Sequence, residues 1–118
     1  MRIKIYNNIM EIKTSDNFCI ITPFSPKLDK KEATKLFAEI IRNKNLKMGI
    51  DMSFVEECTI EFIELISQIG NIGIFNVTSD VFVLFNVMNV DKKINLFVNE
   101  IDFKADKHQL LNRKFCLI

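Results

Sequence analysis

The sequence has few residues that could hold a metal, a cofactor or a disulfide. Its 118 residues include one histidine, three cysteines, three glycines, two prolines and no tryptophan. Cys19, Cys58 and Cys116 are odd in number and far apart, with no Cys-x-x-Cys pair. That pattern reads as reduced thiols in a cytoplasmic protein, buried as small hydrophobes. One His and three scattered Cys supply no zinc-ligand spacing, so neither a metal nor a cofactor is expected. Without a Gly/Ser-rich tract, a repeat or a low-complexity segment, the chain reads as one domain over residues 1–118. Gly70-Asn71-Ile72-Gly73 joins a helix to a strand, whereas phosphate-cradling loops run from strand to helix. Apolar runs such as Phe18-Cys19-Ile20-Ile21 are far short of the ~20 residues of a membrane span. Met1 to Tyr6 alternates charged and apolar residues, unlike a secretory or transit segment. No direct membrane insertion is expected.

Positive charge is missing from one long stretch. The 44 residues from 48 to 91 contain no Lys, Arg or His and seven acids, Asp51, Glu56, Glu57, Glu61, Glu64, Asp80 and Asp91. That segment carries −7, and the rest, with 16 basic against 8 acidic residues, carries +8. The total of +1 gives no overall attraction to nucleic acid or an anionic membrane, and it conceals this asymmetry. At 48% hydrophobic and 26% charged, the composition is that of a folded chain able to bury roughly two-thirds of its unfolded surface.

The elements follow from periodicity. Arg2 to Lys13 reads as a strand, or as a hairpin broken near Asn7-Asn8, and Asn17 to Phe24 as a second strand closed by Pro23 and Pro26. Ala33, Leu36, Phe37, Ile40 and Ile41 form a helical stripe, with Asp29 as cap and Glu32 three residues on. Leu46 to Met52 is a central strand. A second helix begins at Thr59, its stripe Phe62, Leu65, Ile66 and Ile69, with Gly70 at its end. Ile72 to Val77 is a strand, Thr78-Ser79-Asp80 caps a third helix over Val81 to Val90, and Ile94 to Val98 is the last strand. A tail over 104–118 holds a short helix around Ala105 to Leu111 and an extended Arg113 to Ile118. Strands separated by single helices predict an α/β fold, with a mixed, mostly parallel sheet of about five strands and helices packed against it.

Four cues in this order match a known family. Pro26-Lys27-Leu28-Asp29 looks like a Gly-x-Leu-Asp helix start, and Ile50-Asp51-Met52-Ser53-Phe54-Val55 is similar to a Leu-Asp-Leu-Ser-x-Val strand end. Phe75-Asn76-Val77-Thr78 matches an Asn-Val-Ser turn, and Asn89-Val90-Asp91 stands where the family has Gly-Leu-Asp. The chain resembles the STAS domain of bacterial anti-sigma factor antagonists over roughly residues 1–104. The resemblance implies a regulatory protein that binds an anti-sigma factor or related kinase-like regulator and performs no catalysis. It departs from the family at the phosphorylation site. Aligned without a gap, the family's Asp-Ser-Ser-Gly falls on Thr59, Ile60, Glu61 and Phe62. Shifted by one, Thr59 replaces the first serine and Cys58 the aspartate. Both alignments remain open, and under either the usual serine switch is lost.

Thr59 is then a phosphoacceptor or a helix cap, and Glu61 with its neighbours could instead mimic a permanently charged state. The partner-binding residues are read as Phe54, Glu56, Glu57, Cys58, Thr59 and Glu61, with the Pro23 to Lys27 loop beside them. An acidic face there implies a partner with a basic surface. Phe54 and Phe82 are the aromatics that could leave the core and act as anchors. Asp51 and Ser53, at a strand end, are the only residues that suggest a ligand pocket. His108, alone in a polar tail, suggests no nucleophile system. A small subunit of a larger assembly, such as a lipid ABC transporter, is the alternative role, and a small-molecule-binding protein is a third. A monomer or weak homodimer is expected.

Overall fold

The computed structural model describes residues 1–6, 9–88 and 94–107. The opening segment folds as a hairpin. β1 (Arg2–Tyr6) pairs antiparallel with β2 (Met10–Thr14), Ile3 opposite Lys13, and β2 pairs antiparallel with β3 (Phe18–Pro23), Ile12 opposite Ile21. From β3 the connections become helical and the pairing parallel. α1 (Lys30–Arg42) leads to β5 (Lys47–Asp51), α2 (Ile60–Ile69) to β7 (Ile72–Phe75) and α3 (Ser79–Val87) to β8 (Asn95–Leu96). The main sheet has six strands in the order β1-β2-β3-β5-β7-β8, one more than expected. A second sheet of two short parallel strands, β4 (Lys27–Leu28) and β6 (Glu57–Cys58), stands apart from it.

The helix starts follow local chemistry. The side chains of Asp29, Thr59 and Thr78 accept from the backbone N–H groups of Glu32, Phe62 and Val81, each bonding an amide that the helix leaves unpaired. α2 ends at Gly70, whose φ of 73° favours a residue without a side chain. The inner faces are narrower than the sequence stripes. In α1, Ala33, Leu36 and Ile40 are buried, whereas Ile41 points outward and Glu39 is buried in its place, paired to Arg42 at 2.8 Å. In α2, Ile63 joins Phe62 and Ile66 inside, while Leu65 and Ile69 are half-buried.

Strand alternation sorts the sheet into two layers. Met48, Ile50, Ile72, Ile74, Cys19 and Ile21 face the three long helices and form the main core with Leu36, Phe62, Ile66 and Phe85. Residues of opposite parity, Ile20, Phe75 and Phe97, face a fourth helix, α4 (Glu100–Lys104), and enclose Phe103. The Phe103 ring packs directly against the strands where Gly49 and Gly73 pair beneath it. A Cβ would stand 2.7 Å from the ring at Gly49 and 2.5 Å at Gly73. Phe75 stacks on Phe103 at 5.3 Å and Phe97 meets it edge-on at 5.5 Å. Lys47 closes this layer, donating from Nζ to the Phe103 carbonyl at 2.7 Å.

A short helix absent from the sequence reading precedes the tail. It begins at Glu100, capped by Asn99 through the N–H of Asp102, and Ala105 is its C-terminal cap. Residues 105–107 of the helix expected around Ala105 to Leu111 are not helical, and its remainder lies outside the described residues. The acids Glu100 and Asp102 favour the helix start and Lys104 its end. His108, Cys116 and the rest of the expected tail lie outside the described residues, as do Asn89, Val90 and Asp91.

Candidate functional site

The two loops that the sequence placed side by side are hydrogen-bonded together. The Pro26 carbonyl accepts from the N–H groups of both Glu56, at 2.7 Å, and Glu57, at 3.0 Å. Lys27 and Leu28 then pair with Glu57 and Cys58 across the small sheet, and the Leu28 carbonyl accepts from the Thr59 N–H at 2.9 Å. Val55 and Met52, both fully buried, anchor the base of the second loop. Between these tethers the Phe54 side chain remains 56% exposed, its ring edge-on to Phe24 at 5.8 Å. Phe54 is thus held outward by a braced backbone. Phe82 is half-buried against the main core.

Thr59 serves both as donor and acceptor within the fold. Its Oγ1 accepts from the Phe62 N–H at 3.3 Å and donates to the Leu28 carbonyl at 3.4 Å. The structure thus accounts for Thr59 as the cap of α2 and as a tie to the neighbouring loop. Cys58 is buried beneath the acidic loop, and burial, with the Glu57 charge adding to it, pushes its thiol up to about 12. A thiol so shifted is protonated at neutral pH and a poor nucleophile. Glu56, Glu57 and Glu61 are all exposed.

Asp51 and Ser53 fix the end of β5. Asp51 Oδ1 accepts from the Ser53 N–H at 3.0 Å, from its hydroxyl at 2.7 Å and from Asn76 Nδ2 at 3.1 Å. Asn76 adopts φ 57° at the end of β7, a conformation that asparagine tolerates better than most residues. This network joins two adjacent strand ends through one carboxylate oxygen.

A groove that the sequence reading missed opens between the second loop and α3. It measures about 280 Å³ and is lined by Glu56, Glu57, Cys58, Asp80, Val81 and Leu84. Its rim is acidic and its floor apolar. The only ion pair of these carboxylates among the described residues is the exposed contact of Glu57 with Lys27 at 3.8 Å. The sequence reading placed Asp80 in the cap of the third helix; the structure puts it in the first turn of α3, and its approach to Glu56 and Glu57 is a tertiary fact. Among the described residues no His, Cys, Asp and Glu side chains group to hold a metal ion, and no helix is long and apolar enough to cross a membrane.

No protein-family model and no curated protein matches the chain. A solved structure does. The fold is similar to that of a candidate anti-sigma factor antagonist from Thermotoga maritima, with a TM-score of 0.66 over 80% of this chain and 91% of that one. At 17% sequence identity the likeness is one of fold. The chain has a STAS-like α/β fold.

Proposed function

We propose that this STAS-like chain is a non-catalytic regulatory protein that binds an anti-sigma factor or related kinase-like regulator. The contact surface is the loop from Phe54 to Glu61 and the start of α2, with the Pro23–Lys27 loop as its second edge. The observation that carries this reading is the braced, outward Phe54 beside the carboxylates of Glu56, Glu57 and Glu61. An aromatic held rigidly at the surface loses little conformational freedom on binding and makes an effective anchor. The surrounding acids favour a partner with a basic surface and make binding weaken as salt rises.

Binding operates without the serine phosphorylation switch. The Thr59 hydroxyl already bonds the Phe62 amide and the Leu28 carbonyl, and a phosphate there would meet the charges of Glu56, Glu57 and Glu61. Affinity purification from the native host, with recovered proteins and Thr59 analysed by mass spectrometry, tests both points. A kinase-like soluble regulator, captured by the native chain and lost with Phe54→Ala, supports the proposal. Recovery of a membrane ATPase complex would replace it with the alternative of a small transporter subunit, and stoichiometric phosphate on Thr59 would overturn the switch-free reading. A small-molecule site at Asp51 and Ser53 has less support, because Asp51 Oδ1 is already engaged by three donors.

A further inference from the structure

α3 is apolar nearly all round, yet it lies at the surface. Its inner face is Val81 and Phe85. On the opposite side Val83 and Val87 stand one turn apart at i and i+4 and form a short apolar ridge, with Asp80 at its N-terminal end. Val83 is 46% exposed and Val87 74%. A surface helix ordinarily turns charged residues to water on that side, and an apolar ridge in their place marks a contact surface. Half-buried Leu84 flanks the ridge and also lines the groove with Glu56, Glu57 and Asp80. Apolar ridge and acidic groove thus form one continuous surface.

The charge decides what fits. Glu56 and Asp80 have no ion pair among the described residues, and no basic residue occurs from 48 to 91. We infer that this surface receives an amphipathic basic helix of a partner protein. Its aliphatic side packs along Val83, Leu84 and Val87, and a lysine or arginine enters the groove between Glu56, Glu57 and Asp80. Long basic side chains suit this groove, since their stems lie on the apolar floor while their charge meets the rim. The inference rests on the reading of the chain as a protein-binding module and adds to it a contact area on α3 that shares Glu56 and Glu57 with the first surface and does not include Phe54.

A defined probe tests it. A labelled four-turn amphipathic peptide of leucine and lysine is titrated against the full chain, with a leucine and glutamate peptide of the same apolar pattern as control. Saturable binding of the lysine peptide alone is expected, weakening as salt rises, with amide NMR shifts centred on α3 and Glu56. Val83→Ser with Val87→Ser, and separately Glu56→Gln with Asp80→Asn, should each weaken it about tenfold while thermal unfolding is unchanged. Phe54→Ala should leave it within about twofold. Equal binding of both peptides, no binding, shifts on another face, or full affinity in the valine variant would overturn the inference. So would sedimentation showing that the ridge is buried between two copies of this chain. Capture of a native regulator lost with Phe54→Ala but kept in the valine variant removes the α3 contact and leaves the Phe54 surface standing. Loss with the valine variant but not with Phe54→Ala removes the Phe54 surface and leaves the α3 contact standing.

Discussion

Helices α1 and α3 both carry the chain between parallel strands, α1 from β3 to β5 and α3 from β7 to β8. Both begin at an oxygen-bearing cap, and both bury an apolar face in the same core. Their outer faces differ. α1 turns Lys30, Lys31, Thr34 and Arg42 to water beside one exposed aliphatic side chain, Ile41, and carries the ion pairs Lys35–Glu32 and Arg42–Glu39. α3 exposes Val83 and Val87 and carries no basic residue. The fold requires only the inner faces. What is written on the outer faces is therefore free to serve other ends, and it separates a helix finished for solvent from one finished for contact.

The inner faces offer the strongest test of that equivalence. Phe85→Ala in α3 removes a fully buried ring, and Leu36→Ala in α1 removes a side chain that is almost as buried. The expected losses in unfolding free energy are about 3–5 kcal/mol for the first and about 2–5 kcal/mol for the second. Urea titration measures both. A loss under about 1 kcal/mol for Phe85→Ala would mean that α3 is not docked as α1 is, and the equivalence of the two helices would fail.

A smaller effect distinguishes the thiols of the two regions. Cys19 lies in the core; burial raises its pKa, a bond with Thr14 partly offsets this, and the Glu39 charge of α1 adds to the rise. Cys58, at the groove beside α3, is pushed up to about 12, first by burial and then by the Glu57 charge. A thiol whose folded pKa exceeds its unfolded value contributes stability that is complete below the unfolded pKa and is lost as pH rises through the folded one. Stability should therefore begin to fall above about pH 9. In a Cys116→Ser background, Cys58→Ser should flatten that alkaline decline more than Cys19→Ser does. Equal slopes in both variants would remove the distinction.

The caps come next in size. Asp29→Ala and Thr78→Ala should each cost about 1 kcal/mol, and Thr59→Ala a similar amount. These positions were readable in the sequence because a cap needs only its own residue and the next three. Charge asymmetry was equally readable, since it requires no geometry. The outer position of Ile41 was not, because the buried arc of α1 runs through Leu36, Ile40 and Glu39, and Arg42 pairs with that carboxylate. Nor were β4 and β6, which are two residues each and exist only because Pro26 meets Glu56 and Glu57 across 30 residues of sequence. Phe103 stands just before the expected tail, yet it is the centre of a second layer made possible by Gly49 and Gly73. Pairings of that kind are tertiary, and periodicity carries no trace of them. The Phe54 surface lay between these cases. The residue was marked by its loop, but its exposure depends on the bonds that brace the two loops.

The smallest effect on stability carries the most meaning. Val83→Ser with Val87→Ser replaces side chains that are partly (Val83) and mostly (Val87) in water and outside the core cluster, so the unfolding free energy should change by no more than about 0.5 kcal/mol. Lys31→Ser with Lys35→Ser on α1 should be similarly quiet. If the valines were part of the folding core, their replacement would destabilise the chain on the scale of Phe85→Ala, and no separate role would be needed to explain them. If they contribute nothing to the fold, exposed apolar surface has been kept at a position where serine would fold as well. A chain that folds alike with either residue but binds a basic amphipathic helix only with valine locates the purpose of α3's outer face in binding. Differential scanning calorimetry of the two double variants, run beside the peptide titration, decides between the alternatives.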